Sequence, residues 1–207
     1  MPPTLIAGLL AAAVLAAPQL LPVDEASSRP DFFSFRASLQ GAIARHDVAA
    51  LMAVVHPQIK NSFGGNDGVD EFRSMWKIGE PDSEIWNELG TVLALGGSFH
   101  DAGTFVAPYV NSRWPSTVDP FEHVAVTGAN VRVRSQPATT SDTVDTVSFV
   151  ILPVTREGTD TEGWTAVQID KTVGYVSSAY VRSPIDYRAI FRFEDRRWRL
   201  VTFVAGD

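Results

Sequence analysis

Two hydrophobic rhythms divide this chain. Between residues 31 and 95 apolar side chains return at helical spacing, whereas from residue 123 onward they alternate or gather in short β-branched runs. Asp31 to His56 reads as helical, with Phe35, Leu39, Ala42 and Ile43 on one stripe and Phe32 and Phe33 docking its first turn. Asp47 caps a second helix over Val48 to Val55, which Pro57 ends. Ile59 to Phe63 is short and strand-like, and Gly64 to Gly68 is a tight turn. Asn66 or Asp67 then caps a helix over Val69 to Trp76. Pro81 and Asp82 open another, with Ile85, Leu89, Val92 and Leu93 on one face and Gly96-Gly97 at its end. Phe99 to Val110 reads as a strand segment, and Ser112 to Pro120 as a connection.

The second rhythm begins with Val131 and Val133, which alternate with Asn130, Arg132 and Arg134 as in a half-buried strand. Pro137 stops that strand because it has no N–H for a ladder. Val144 to Val154 is β-branched and nearly continuous, the pattern of a strand buried on both sides. Glu157 to Gly163 has the glycines of a hairpin loop, Trp164 to Ile169 alternates again, and Lys171 to Gly174 makes a second turn before a short strand at Tyr175-Val176. In the last segment, 185–207, Tyr187, Ala189, Phe191 and Phe193 share one face, and Trp198, Leu200, Thr202 and Val204 alternate beyond a turn at Glu194 to Arg197. An isolated hairpin is marginal in water and needs a partner surface. The amphipathic helices of the 31–121 region are expected to supply it.

The stretch 122–184, with Val126 to Pro137, Gly163 to Val167 and Gly174 to Val181, resembles a bacterial SH3-like domain. That resemblance implies a small barrel with one 3₁₀-like turn at Ser177 to Tyr180 before its last strand near Val181, and a role in binding rather than chemistry. A second stretch, Ala44 to Pro57 with Ser62 to Gly65, Phe72 and Trp76, is similar to the opening of the nuclear transport factor 2-like superfamily, whose cone-shaped α+β domains often end in a hairpin like Arg197 to Phe203. The expected fold class is therefore α+β: a helical or α+β region over 31–121, a small all-β SH3-like barrel over 122–184, and a C-terminal β-hairpin over 185–207. The barrel would be inserted into, or appended against, a discontinuous α+β domain.

Composition narrows the functions open to such a chain. Its 207 residues carry a net charge of −7, which disfavours nonspecific nucleic-acid binding. Zero cysteines remove disulfides, thiol nucleophiles and thiolate metal sites together. Residues 1–18 read as a secretory signal: Leu5 to Ala17 is unbroken and apolar but shorter than the ~20 residues a membrane span needs. The opening Met-Pro-Pro-Thr lacks the usual basic residue, which leaves an apolar N-terminal helix as the alternative. Residues 19–30, with Pro22 and Pro30, read as a linker. A periplasmic or secreted location follows, with no stable membrane span.

No catalytic constellation stands out. The four histidines, His46, His56, His100 and His123, do not form a metal-binding motif, and no serine sits in a G-x-S-x-G elbow. His56, ahead of Pro57, reads as a helix-end contact, and Asp70-Glu71 as a first-turn offset to the helix dipole. The better candidates are aromatic. Trp164, Tyr175 and Tyr180 stand where the SH3-like pattern has rings, and such rings either anchor an extended peptide or fill the barrel. Arg188 and Arg192 share one face of the hairpin, either as an anion contact or as a solvated edge. The expected role is a non-enzymatic binding or adaptor protein of the bacterial envelope, without cofactor or metal, contacting a peptide, a peptidoglycan-like ligand or a partner protein. The alternatives are a small-ligand pocket or enzyme in the α+β part, and a barrel that only covers the helices.

Overall fold

The computed structural model describes residues 17–158 and 161–206, so the expected export signal lies outside the described residues except for Ala17 and Pro18. The chain is α+β. Its first half holds α1 (Pro30–Ala44), α2 (Val48–Val54), β1 (Val55–Lys60), α3 (Val69–Met75), α4 (Ile85–Ala94), β2 (Ser98–Asp101), β3 (Thr104–Ala107) and α5 (Tyr109–Ser112). Seven short strands follow: β4 (His123–Val126), β5 (Val131–Arg134), β6 (Thr143–Val147), β7 (Ile151–Pro153), β8 (Trp164–Ile169), β9 (Thr172–Ser177) and β10 (Val181–Arg182). The chain then closes with β11 (Arg188–Glu194) and β12 (Arg197–Val204).

The first-half strands and the closing hairpin form one five-stranded sheet in the order β1-β12-β11-β3-β2. The hairpin therefore belongs to the α+β unit, and its two strands occupy the middle of that sheet. Asp195 and Arg196 both take positive φ, 50° and 62°, as a two-residue turn between right-twisted strands requires. Helix α1 lies against the sheet through Phe32, whose ring centroid is 4.2 Å from Phe105, 4.7 Å from Trp198 and 5.8 Å from Phe191. Phe33, next in sequence, points to solvent. Trp198 Nε1 donates to Asp31 Oδ2 at 3.0 Å, which ties the hairpin to the first turn of α1.

Several local expectations need correcting. Helix α2 is capped by Asp47, whose Oδ1 accepts from the Ala50 amide at 3.0 Å, but it gives way to β1 at Val55, and Pro57 lies inside that strand. Proline is tolerated there because β1 is an edge of the sheet. Asp67 does not cap α3: its carboxylate accepts from the Asn61 amide at 2.8 Å, and Gly68, at φ 103°, opens the helix. Helix α4 starts at Ile85 rather than Pro81, and the segment from Phe99 is a β2–β3 hairpin followed by α5. The run Val144 to Val154 breaks at Phe149, which has φ 51°, into an exposed edge strand β6 and a buried strand β7. His56 sits on β1, with Nε2 3.6 Å from Glu194 Oε2, and not at a helix end.

Strands β4 to β10 make two small sheets, β10-β4-β7 and β6-β5-β9-β8, bridged where Val154 meets Val167. They curl around a core of Val126, Val133, Val167 and Val176 as a small barrel, with a 3₁₀ turn at Ser178–Tyr180. A third core joins barrel to α+β unit: Ala125 and Ile151 from the barrel, Tyr109 and Val110 from α5, and Leu20. Leu20 lies in the segment expected to be a linker. That segment is instead a strap. The Ile151 amide donates to the Pro18 carbonyl at 2.8 Å and the Leu20 amide to Phe149 at 2.8 Å. Further on, Gly97 donates to Val23 at 2.9 Å, and Asp24 receives the Arg36 guanidinium through two bonds of 2.7 Å. Pairing backbone groups at both ends removes the freedom that a linker needs.

Candidate binding cleft on the barrel

Alternation along β5 decides which side chains face out. Val131 and Val133 fill the barrel, so Arg132 and Arg134 stand on the outer face of the four-stranded sheet. Arg134 is in register with Tyr175 on β9, which is in register with Ala166 on β8. Two residues along, Ser177 of β9 pairs with Trp164 of β8 on that same face. The outer face beside this row thus gathers two guanidiniums and an indole.

The 3₁₀ turn adds Tyr180. Its carbonyl accepts from the Thr127 amide at 2.9 Å, and the Ser178 amide donates to Gly163 at 2.8 Å, which ties the turn to the residue before Trp164. A Cβ on Gly128 would come within 3.3 Å of the Tyr180 ring and 2.9 Å of Val131 Cγ2, so the absent side chain lets the ring lie close to the β4–β5 connection. Tyr180 remains 52% exposed, a large ring held in place yet open to solvent.

Together Arg132, Arg134, Trp164, Ser177 and Tyr180 line a cleft of about 430 Å³. No carboxylate is among the lining residues. Arg134 Nη1 donates to the Ser141 carbonyl at 2.7 Å, which orients it while leaving its charge uncompensated. The Arg132 guanidinium has no ion pair or hydrogen bond among the described residues. An acidic chain thus carries, on one face of its barrel, a small cationic and aromatic surface.

Of the three aromatic candidates, the structure brings Trp164 and Tyr180 together in this cleft and leaves Tyr175 out of its lining. Tyr175 is buried, with its hydroxyl close to Gly158 in the loop after β7. The hairpin arginines stand elsewhere, on the five-stranded sheet. Arg188 Nη1 donates to the Gly206 carbonyl at 2.8 Å and its guanidinium lies 5.4 Å from the Phe63 ring centroid. Arg192 pairs with Glu194 at 3.0 Å. Arg132 and Arg134 were the residues that sequence reasoning passed over. Their alternation with Val131 and Val133 already placed them outward; only the pairing of β5 with β9 put them beside Trp164.

The other polar candidates do not converge. His46 stacks on Trp86 at 5.1 Å, His123 Nδ1 lies 3.0 Å from the Asp119 carbonyl, and His100 is on β2. Among the described residues no group of three or more His, Asp or Glu is placed to hold a metal ion. Nor is any described helix long and apolar enough to cross a membrane.

No protein-family model matches the sequence, and no curated protein matches it either. Among solved structures, it is similar to an NTF-2-like protein of unknown function from Shewanella oneidensis MR-1, at 14% identity and a TM-score of 0.34, over 86% of this chain and 97% of that one.

Proposed function

We propose that this chain is an exported, non-enzymatic binding or adaptor protein of the bacterial envelope, and that its barrel, which resembles SH3-like domains, holds a carboxylate-bearing peptide or peptidoglycan-like ligand. The observation that carries this reading is the make-up of the cleft. Trp164 and Tyr180 offer stiff contact area with little side-chain entropy to lose, and Arg132 and Arg134 offer two cations with no acid beside them. A guanidinium meets a carboxylate through two parallel N–H bonds, so an extended segment with acidic groups between flat surfaces suits the site. The lining contains no carboxylate, thiol or imidazole to move a proton, which favours binding over catalysis. The apolar run at Leu5 to Ala17 supports export.

Retention on purified sacculi, together with the affinity for a soluble stem-type peptide with free carboxylates, tests the reading. Arg132→Ala should weaken binding by about tenfold, the loss of one charge-assisted contact, with unchanged thermal stability. Tyr180→Ala should do the same, because its ring is half exposed and its loss spares the barrel core. Equal retention of both variants, or no retention of the folded wild type on either ligand, would refute it. A second reading, a small-ligand pocket in the α+β unit, is favoured by a cavity beside Trp76 and Tyr187.

A further inference from the structure

Two adjoining cavities of about 310 Å³ each open on the α+β unit and share Trp76, Glu84 and Tyr187. That size lies at the lower end of the range for small-molecule sites. Trp76 directly follows α3 as its C-cap, and Tyr187 directly precedes β11. Their ring centroids are 4.9 Å apart at 59°, and Tyr187 is backed by Phe203, stacked at 5.1 Å and 22°. The Trp76 indole Nε1 is buried and has no acceptor among the described residues, an unsatisfied donor in a side chain that lines both cavities.

Charge around these rings is not balanced. Glu84 and Glu88, one helical turn apart at the start of α4, both face the second cavity. Glu88 is neutralised by Arg182 at 2.8 Å, and Lys77 stands 3.9 Å from Asp82, so those pairs cancel. The Glu84 side chain has no ion pair or hydrogen bond among the described residues. Burial, followed by the negative fields of Glu88 and Glu84, holds the Tyr187 phenol above its usual range, which places both carboxylates within electrostatic reach of that ring.

We propose that this cavity pair binds an organic ammonium ion, with the rings of Trp76 and Tyr187 as its walls and Glu84 as its counter-charge. An alkylated ammonium spreads its charge over carbon, sheds water cheaply and is drawn to ring faces within about 6 Å. A metal ion would require several oxygen ligands, and a single uncommitted carboxylate does not supply them. An offset to the α4 dipole explains Glu84 by itself. It does not explain the angled pair of rings beside that carboxylate. The site is separate from the barrel cleft, and the two proposals stand or fall independently.

The test titrates the full chain with choline, with n-butylammonium and with the uncharged carbon isostere of choline, followed by calorimetry and tryptophan fluorescence. The cations should saturate the protein, and the isostere should bind at least about tenfold more weakly. Glu84→Gln, a change at an exposed position, should weaken cation binding about fivefold. Tyr187→Phe should preserve it, and the barrel variant Tyr180→Ala should leave it untouched. Tighter choline binding assigns the site to a free methylated amine, and tighter butylammonium binding to a lysine side chain of a partner; both support the proposal. Isostere binding as tight as choline, failure of the folded wild type to saturate with either cation, or an unaltered affinity in Glu84→Gln would overturn it.

Discussion

Replacing Arg182 by methionine asks whether barrel and α+β unit unfold as one. Arg182 is on β10, the last strand of the barrel, and is 9% exposed. Its Nη2 reaches out of the barrel to Glu88 Oε1 on α4 at 2.8 Å and to the Tyr187 carbonyl at 2.7 Å. Its Nε lies 3.9 Å from Asp186, too far for a hydrogen bond, and is buried without an acceptor. Methionine fills much of the same space, so the loss is chiefly two charge-assisted bonds, each worth about 1.5–3 kcal/mol. The Glu88 side chain is 29% exposed and recovers some hydration once released, which lowers the expected total to about 3 kcal/mol. With a urea m-value of about 2 kcal/mol/M, the unfolding midpoint should fall by about 1.5 M. Glu88→Gln alone should cost about 1 kcal/mol, and the double-mutant cycle should return a coupling of about 1–2 kcal/mol. Urea unfolding followed by far-UV circular dichroism and by tryptophan fluorescence gives these values, and in the wild type both probes should share one transition. A midpoint shift under about 0.3 M, or a wild type that unfolds in two steps, would refute the idea that Arg182 clamps the units together.

Three further outcomes follow from the same contacts. Burial disfavours the ionised Asp24, but hydrogen bonds from Arg36 and the Ala26 amide outweigh it and hold the carboxyl below its usual range. Its contribution is therefore complete above the unfolded value near 3.8 and is lost as pH falls through the lower folded value; Asp24→Asn should flatten the stability–pH curve in that window. A Cβ on Gly97 would lie 2.2 Å from the Val106 carbonyl oxygen and 2.9 Å from the Phe105 ring, so Gly97→Ala should cost at least about 2 kcal/mol by urea titration, against near zero for Gly64→Ala, whose nearest neighbour is at 3.8 Å. The Tyr109 phenol, pushed up to about 12 by burial, has a hydroxyl with no partner, so Tyr109→Phe should be neutral or stabilising by up to about 1 kcal/mol and should remove the last phenol to ionise in an alkaline ultraviolet titration.

The helices were legible because their stripes are local: Leu89 lies four residues after Ile85, Val92 and Leu93 follow it by three and four, and all four are buried. The closing hairpin was legible for the same reason, with alternation on both sides of a polar turn. What sequence reasoning missed depends on partners distant in the chain. Val144 and Val147 are β-branched like a buried strand, yet β6 pairs on one side only and Val144 is 48% exposed. Propensity reports a pleated, half-covered surface and cannot distinguish an edge from a centre. The segment 19–30 reads as a linker because the groups that hold it, Phe149, Gly97 and Arg36 among them, lie far along the chain and leave no local signal. At the candidate site, Trp164 and Tyr180 were visible as rings at motif positions. Arg132 and Arg134 were visible as outward residues, but no local signal announces that β5 lies beside β9.

The route of the chain also explains how a barrel can interrupt a sheet. β3 and β11 are adjacent antiparallel neighbours, with Ala107 opposite Ala189, yet the whole barrel lies between them in sequence. The two ends of the excursion meet: Asn111 Nδ2 donates to the Pro184 carbonyl at 3.0 Å, and β4 pairs with β10 through Val126 and Val181. An insert whose ends are already together imposes little extra loop-closure cost on the pairing of β3 with β11. Proximity of ends would allow the barrel to swing as an independent module, but the residues at the junction prevent it. Tyr109, Val110, Ala125 and Ile151 are all nearly solvent-free, and Leu20, on the strap, is buried in the same cluster. Each unit alone would therefore expose an apolar face, which sets this arrangement apart from domains on a flexible hinge. A ligand at the proposed cleft on β5, β8 and β9 would therefore meet a barrel that is packed against the α+β unit through this junction.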